Sequence, residues 1–176
     1  IGLVDLAGES HLGVIYDPLE QTVYQGIKNC GATRNGQPWI IDENFEKRLT
    51  FVMDQSAPKS VSYQRMLLSV KTMFQQKGFE ILEDVAVGGA AMNAMWVAEQ
   101  APALYIKPSK NEPGGGCIWD FAASSCIVSE AGGQVQAFDA QPLHLNRPGS
   151  CYMNMQGAVF SSHRIVMQWL NQCIHL

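Results

Sequence analysis

Charge is scarce in this chain. Only 16% of its 176 residues are Asp, Glu, Lys or Arg, against 47% hydrophobic, and the net charge is −4. That composition excludes a disordered polyelectrolyte and fits a globular domain with its own core. An isoelectric point near 5.5 argues against a general nucleic-acid surface. No apolar run reaches the length of a membrane span, and no basic-then-apolar signal segment opens the chain. The five cysteines (Cys30, Cys117, Cys126, Cys151 and Cys173) lack any C-x-x-C spacing. They read as reduced thiols of a cytoplasmic protein, with no structural zinc. A G-x-S-x-G elbow, a Walker loop and a dinucleotide fingerprint are all missing. His11, His144, His163 and His175 have no Cys or Ser placed as partner, so solvent or local hydrogen bonding accounts for them. Internal repeats and low-complexity tracts are absent too.

What is present alternates between strand and helix signals. Ile1-Gly2-Leu3-Val4 reads as the middle of a buried strand, so the chain is expected to be a fragment of a longer fold. Leu12–Tyr16 and Thr22–Ile27 read as hairpin partners around Asp17-Pro18, and Asn35-Gly36 is a tight-turn signal. Residues 41 to 50 read as loop or edge, and Phe51-Val52-Met53 as a strand. From Ser60 to Lys77 apolar residues fall at helical spacing, and Gly78 stops the helix. Phe79–Leu82 starts a strand. Gly88-Gly89-Ala90-Ala91 opens a helix to about Glu99, and its bare N–H groups are able to hold an anion. Small residues there serve helix packing equally well. Pro102–Ile106, Gln134–Phe138 and Gly157–Phe160 read as strands, and Ser162 as the cap of a terminal helix. Residues 1–57 are expected to form an antiparallel sheet part and residues 58–176 an α/β part of one domain.

The chain is organised around Gly114-Gly115-Gly116-Cys117-Ile118-Trp119-Asp120-Phe121-Ala122-Ala123, running on to Gly132-Gly133. Glycines permit close backbone approach or positive φ. Asp120 suits a helix N-terminus, where it caps N–H groups and meets the positive end of the helix dipole. Ala122, Ala123, Ser124 and Ser125 leave the helix little bulk, so it can sit tightly on a neighbour. Gly132-Gly133 is a left-handed C-terminal cap.

Trp119-Asp120-x-Ala122-Ala123, followed by Glu130-Ala131-Gly132-Gly133, resembles the C-terminal signature of the inositol monophosphatase superfamily, whose members are Mg²⁺-dependent, often Li⁺-sensitive phosphomonoesterases. The resemblance covers the family's later portion. It implies the later part of an α-β-α-β-α sandwich of the sugar-phosphatase type. It also implies Asp120 as a metal ligand, with Gly88, Gly89, Ala90 and Glu112 against the substrate and Mg²⁺ as cofactor. The family's other metal ligands and its water-positioning residues lie upstream and find no match here. The chain alone is therefore expected to be inactive. The implied activity is hydrolysis of an inositol phosphate or similar sugar phosphate, with a 3′(2′),5′-bisphosphate nucleotidase as the alternative. A non-catalytic binding or structural remnant is the reading from another class. The implied partners are a small phosphorylated substrate, the missing N-terminal segment or a second copy, with no nucleic-acid polymer and no membrane. Lys107 and Lys110, in the polar loop before the glycines, read as solvated charges that could also face a phosphate-rich substrate.

Overall fold

A computed structural model describes residues 1–42, 46–82, 84–86 and 88–174. Its first part is an antiparallel meander in chain order. The strands are β1 (Gly2–Val4), β2 (Ser10–Asp17), β3 (Thr22–Ile27), β4 (Gly31–Arg34) and β5 (Gln37–Trp39). The turns are those the sequence signals. Asp17 Oδ1 accepts from the Leu19 N–H at 2.9 Å, and Asn35 and Gly36 both take positive φ, at 51° and 74°.

The second sheet has the order β7-β6-β8-β10-β9. It is built from β6 (Arg48–Val52), β7 (Glu80–Ile81), β8 (Ala103–Lys107), β9 (Gln134–Gln136) and β10 (Ala158–Ser161). β6 runs parallel to both β7 and β8, and β10 is antiparallel to β8 and β9. The helices are α1 (Val61–Gln76), α2 (Ala90–Glu99), α3 (Ile118–Glu130) and α4 (Arg164–Ile174).

Period-two burial in the second sheet sets the layering. Leu49, Phe51, Leu104, Ile106 and Val159 face one way and pack with Val70, Phe74, Val166 and Leu170 of α1 and α4. Val52, Ala103, Tyr105, Ala158 and Phe160 face the other way and pack with Met95, Phe121, Ile127 and Val128 of α2 and α3. α2 and α3 thus lie between the two sheets. The layers run sheet, helix pair, sheet, helix pair, in an α/β sandwich.

α3 sits on the first sheet through a row of glycines. Gly2 pairs with Gly13, and Gly13 with Gly26, across β1, β2 and β3. A Cβ on Gly13 would lie 2.2 Å from the Ala123 carbonyl oxygen, and one on Gly26 would lie 2.7 Å from the Ile127 Cα. The small residues of α3 meet their counterpart in this row.

Three local expectations change. The Ile1–Val4 strand forms, but at a sheet edge: Leu3 is 60% exposed, because its face of the sheet has no layer against it. β6 begins at Arg48, inside the segment expected to be loop or edge, and lies between β7 and β8 in the second sheet. The Ser162 hydroxyl does not cap α4. It accepts from the Ala103 N–H at 2.8 Å and so ties β8 to the turn before the helix.

Candidate functional site

Parallel pairing of β6 with β8 brings their C-terminal ends to one edge of the sheet. In parallel α/β sheets such an edge is the usual place for a ligand. Asp54 follows β6 there, and Lys107 ends β8. Tyr105 and Lys107, two residues apart, share the face toward α2 and α3. Asp54 gathers the edge together. Its Oδ1 accepts from the Tyr105 hydroxyl at 2.7 Å and from Asn93 Nδ2 at 3.0 Å. Its Oδ2 pairs with the Lys107 ammonium. Burial, and then the Asp54 charge, push the Tyr105 phenol far above its ordinary range, so it acts as a donor. Asn93, one turn into α2, is fully buried, and its Oδ1 has no hydrogen-bond partner among the described residues.

A cavity of about 680 Å³ opens beside this network, lined among others by Asp54, Ser60, Tyr63, Lys107, Glu112 and Gly116. Lys110 also lines it. The loop carrying Lys110 and Glu112 is pinned by Asn154, whose Nδ2 donates to the Lys110 carbonyl at 3.2 Å. Gly114, Gly115 and Gly116 all take positive φ, at 124°, 74° and 81°. A Cβ on Gly116 would lie 2.9 Å from the Phe121 ring and 3.1 Å from Asp120 Oδ2. Glycine is therefore required where the loop presses on α3.

Asp120 is the third residue of α3, not its cap. The cap is Cys117: the Asp120 N–H donates to its carbonyl at 2.9 Å, and the Cys117 N–H donates back to Asp120 Oδ2 at 2.7 Å. Oδ1 has no hydrogen-bond partner among the described residues. α3 ends as its double glycine signals: the Gly133 N–H donates to the Val128 carbonyl at 2.9 Å and the Gly132 N–H to that of Ser129 at 3.1 Å. At α2, Gly89 is the N-cap and a Cβ there would meet nothing within 4 Å. Gly88 differs, because a Cβ on it would lie 2.8 Å from the Trp96 ring. Packing explains Gly88, and open space lies before Gly89.

Glu112 therefore shares the cavity with Lys107 and Lys110. Asp120 borders it through Gly116, and Gly88 borders Asp54 through Asn93. Gly88, Gly89, Ala90 and Asp120 are outside the cavity lining itself. Sequence reasoning missed Asp54, Asn93 and Tyr105. The available signal was an acid directly after an apolar strand and an amide inside an apolar helix.

Mg²⁺ wants near-octahedral oxygen, commonly one or two carboxylates with water and substrate phosphate. Asp120 Oδ1 fits one such position. No group of three acidic, imidazole or thiol side chains among the described residues includes Asp120, so the described residues do not by themselves complete a metal shell around it. The group that does form is Asp5, Glu9 and His11 on the β1–β2 hairpin. Its atoms are already engaged: Asp5 pairs with His11 at 2.9 Å, and Glu9 with Lys28 at 2.5 Å. The Glu9 N–H, and then His11, hold the Asp5 carboxyl below its ordinary range.

The family model for the inositol monophosphatase family matches residues 1–175. The chain belongs to that family. Mouse inositol monophosphatase 1 is 31% identical over 139 residues, which is 78% of this chain and 47% of the relative. "Nus factor SuhB" of Haemophilus influenzae is 25% identical, covering 96% of this chain and 57% of that protein. The chain thus spans about half the length of the curated relatives it matches. Among solved structures, inositol monophosphatase from Anabaena (Nostoc) sp. PCC 7120 shares the fold at TM-score 0.65 and 19% identity, over 95% of this chain and 60% of that one. Inositol monophosphatase II from Staphylococcus aureus MSSA476 does so at TM-score 0.70 and 17% identity, over 95% and 56%. The inositol monophosphatase sandwich seen in the layers is the fold of these neighbours. No described helix is long and apolar enough to cross a membrane.

Proposed function

We propose that this chain carries the substrate side and one metal ligand of a Mg²⁺-dependent phosphomonoesterase acting on an inositol phosphate or similar sugar phosphate. The observation that carries the reading is Asp120. It sits at a helix N-terminus with one carboxylate oxygen held by a backbone N–H and the other free, beside the Gly116 wall of the cavity. When bound, Mg²⁺ supplies charge neutralisation at the phosphate and a more acidic water. Asp120 would hold the ion, and the Cys117 N–H fixes the orientation of its carboxylate through Oδ2. The α2 N-terminus at Gly89 offers backbone N–H groups to an anion. Glu112 accepts from a substrate hydroxyl, and Asp54 keeps the Lys107 ammonium fixed on the wall. The remaining acidic ligands and the water-positioning group come from polypeptide other than these residues. Lithium sensitivity goes with this reading, and the five cysteines without C-x-x-C spacing fit a cytoplasmic location.

The bisphosphate nucleotidase alternative is favoured by the two lysines on the cavity wall. A solved S. aureus relative, matched at TM-score 0.72 and 18% identity, is described as 2′AMP-bound. A non-catalytic role is favoured by the lack of a further metal-ligating group clustered with Asp120 among the described residues.

The test is phosphate release from inositol phosphate by the chain alone and by the chain joined to a polypeptide bearing the acidic motifs. No turnover is expected alone, and Mg²⁺-dependent turnover when joined. Asp120→Asn in the joined form should lower turnover by orders of magnitude with an unchanged unfolding midpoint. Wild-type Mg²⁺ activation in that variant would sink the assignment.

A further inference from the structure

Two lysines line the cavity at the sheet edge, and they are not equivalent. Lys107 is committed. Its ammonium pairs with Asp54 and lies 5.8 Å from the centre of the Phe121 ring, and its side chain is only 13% exposed. Lys110 is exposed, and among the described residues its ammonium forms no ion pair. Its main chain is nevertheless fixed. The Lys110 N–H donates to the Asn154 carbonyl at 2.7 Å. Asn154 Nδ2 donates back to the Lys110 carbonyl at 3.2 Å and to the Asn111 carbonyl at 3.4 Å. Asn154 is buried and also abuts the glycine loop, since a Cβ on Gly115 would lie 3.3 Å from the Asn154 Cα. A free cation on tethered backbone binds an anion at a lower ordering cost than one on a mobile loop.

The glycine loop also limits how far this cation stands from Asp120. The Lys110 ammonium lies 3.4 Å from where a Cβ on Gly114 would be, and Asp120 Oδ2 lies 3.1 Å from where one on Gly116 would be. The two residues from Gly114 to Gly116 span at most about 7 Å of chain, the scale of a sugar ring. The wall formed by α1 adds to the positive field. Ser60, Ser62 and Tyr63 line the cavity at the start of that helix, whose first turn holds no acidic residue. Asp54 is neutralised by Lys107, and Glu112 forms no ion pair with Lys110.

We propose that Lys110 is a specificity residue, which receives a second anionic group, phosphate or carboxylate, on a sugar phosphate whose phosphoester lies at Asp120. The ammonium donates charge-assisted hydrogen bonds to that group. Glu112 is left for a neutral hydroxyl. A sugar with one phosphate leaves the Lys110 ammonium to water. The position of the phosphoester rests on Asp120 being a metal ligand, whereas the Lys110 contact does not.

The full chain is titrated with glucose 6-phosphate, glucose 1,6-bisphosphate and 6-phosphogluconate, and affinities are read from amide chemical shifts. The bisphosphate should bind roughly 10–100-fold more tightly than the monophosphate, the worth of hydrogen bonds to a charged group. Lys110→Met should erase that preference, and Lys110→Arg should keep it. Lys28, paired with Glu9, is outside the cavity lining, so Lys28→Met should keep the preference as well. A preference shared by 6-phosphogluconate makes any anion sufficient, and one confined to the bisphosphate makes the second group a phosphate. Equal affinity for mono- and bisphosphate, binding of neither, or a preference that survives Lys110→Met would overturn the proposal. In the joined form the same ratio should appear in kcat/KM. If the chain shows the preference and loses it with Lys110→Met, yet the joined form releases no phosphate, the phosphatase reading fails while the anion subsite stands.

Discussion

Asp54 has three donors on one carboxylate, and removing it leaves all three wanting. Lys107 has a side chain only 13% exposed, so its ammonium would be stranded in a mostly dry wall. Breaking one side of such a pair costs about 3 kcal/mol, whereas replacing both partners by apolar groups is often near neutral. Asp54→Ala should therefore lower the denaturant midpoint strongly, and Asp54→Ala with Lys107→Met should recover most of the loss. If the double variant is the less stable of the two, the pair is not what Asp54 serves. Tyr24 makes a pH prediction. Burial, and then its bond to Glu99, push its phenol from the ordinary 10 up to about 12. The folded state holds this proton more tightly than the unfolded state. The stability this contributes is whole below pH 10 and is lost as pH rises from there to about 12. Denaturant midpoints across that range should fall less steeply for Tyr24→Phe than for the wild type, and equal slopes would contradict it. Both residues show where sequence reading stops. An acid after an apolar strand carries no local sign of the lysine at the end of the next strand, because parallel pairing brings them together from 53 positions apart.

Among elements, α3 was the most legible, because its start, small face and double-glycine stop all lie in one continuous stretch. What it rests on was not legible. Gly2, Gly13 and Gly26 look like ordinary strand glycines until register aligns them. A methyl on Gly13 meets backbone oxygen at 2.2 Å, and backbone cannot turn aside. Gly13→Ala should destabilise by about 1–3 kcal/mol, at the upper end. Gly89→Ser is the matched control. It adds a side chain into open space at an N-cap, where serine is preferred, and should be neutral or stabilising by a few tenths of a kcal/mol. Thermal unfolding of the two variants checks both, and equal losses would refute the steric account. The α2 start was also legible, since Gly88-Gly89 marks it. The different duties of the two glycines depend on Trp96 and needed coordinates.

Across the whole molecule, the described residues form four of the expected layers, and none of them covers the outer face of the first sheet. Leu3, Leu12 and Ile27 form the row next to the glycines on the opposite face, with Leu3 60% and Ile27 50% exposed. A shallow cavity of about 180 Å³ lies there, lined by Leu12, Val14 and Ile27 among others. An apolar face of this kind should bind an anilinonaphthalene sulfonate dye in the native state. Leu3→Lys with Ile27→Lys should reduce that emission without moving the unfolding midpoint, and unchanged emission would place the dye elsewhere. The other face of the same sheet has a different consequence. Because the glycine row lets the backbone of α3 rest directly on the strands, the sheet acts as a datum surface from which the height of the helix is set. Asp120 stands three residues from Ala123, inside one turn of the contact with Gly13, and α3 is a rod about 20 Å long with no kink to absorb an offset. Shimming that surface by a single methyl would lift Asp120 with it. A lesion on β2 would then register in an assay as a displaced Asp120 carboxylate as well as a loosened fold.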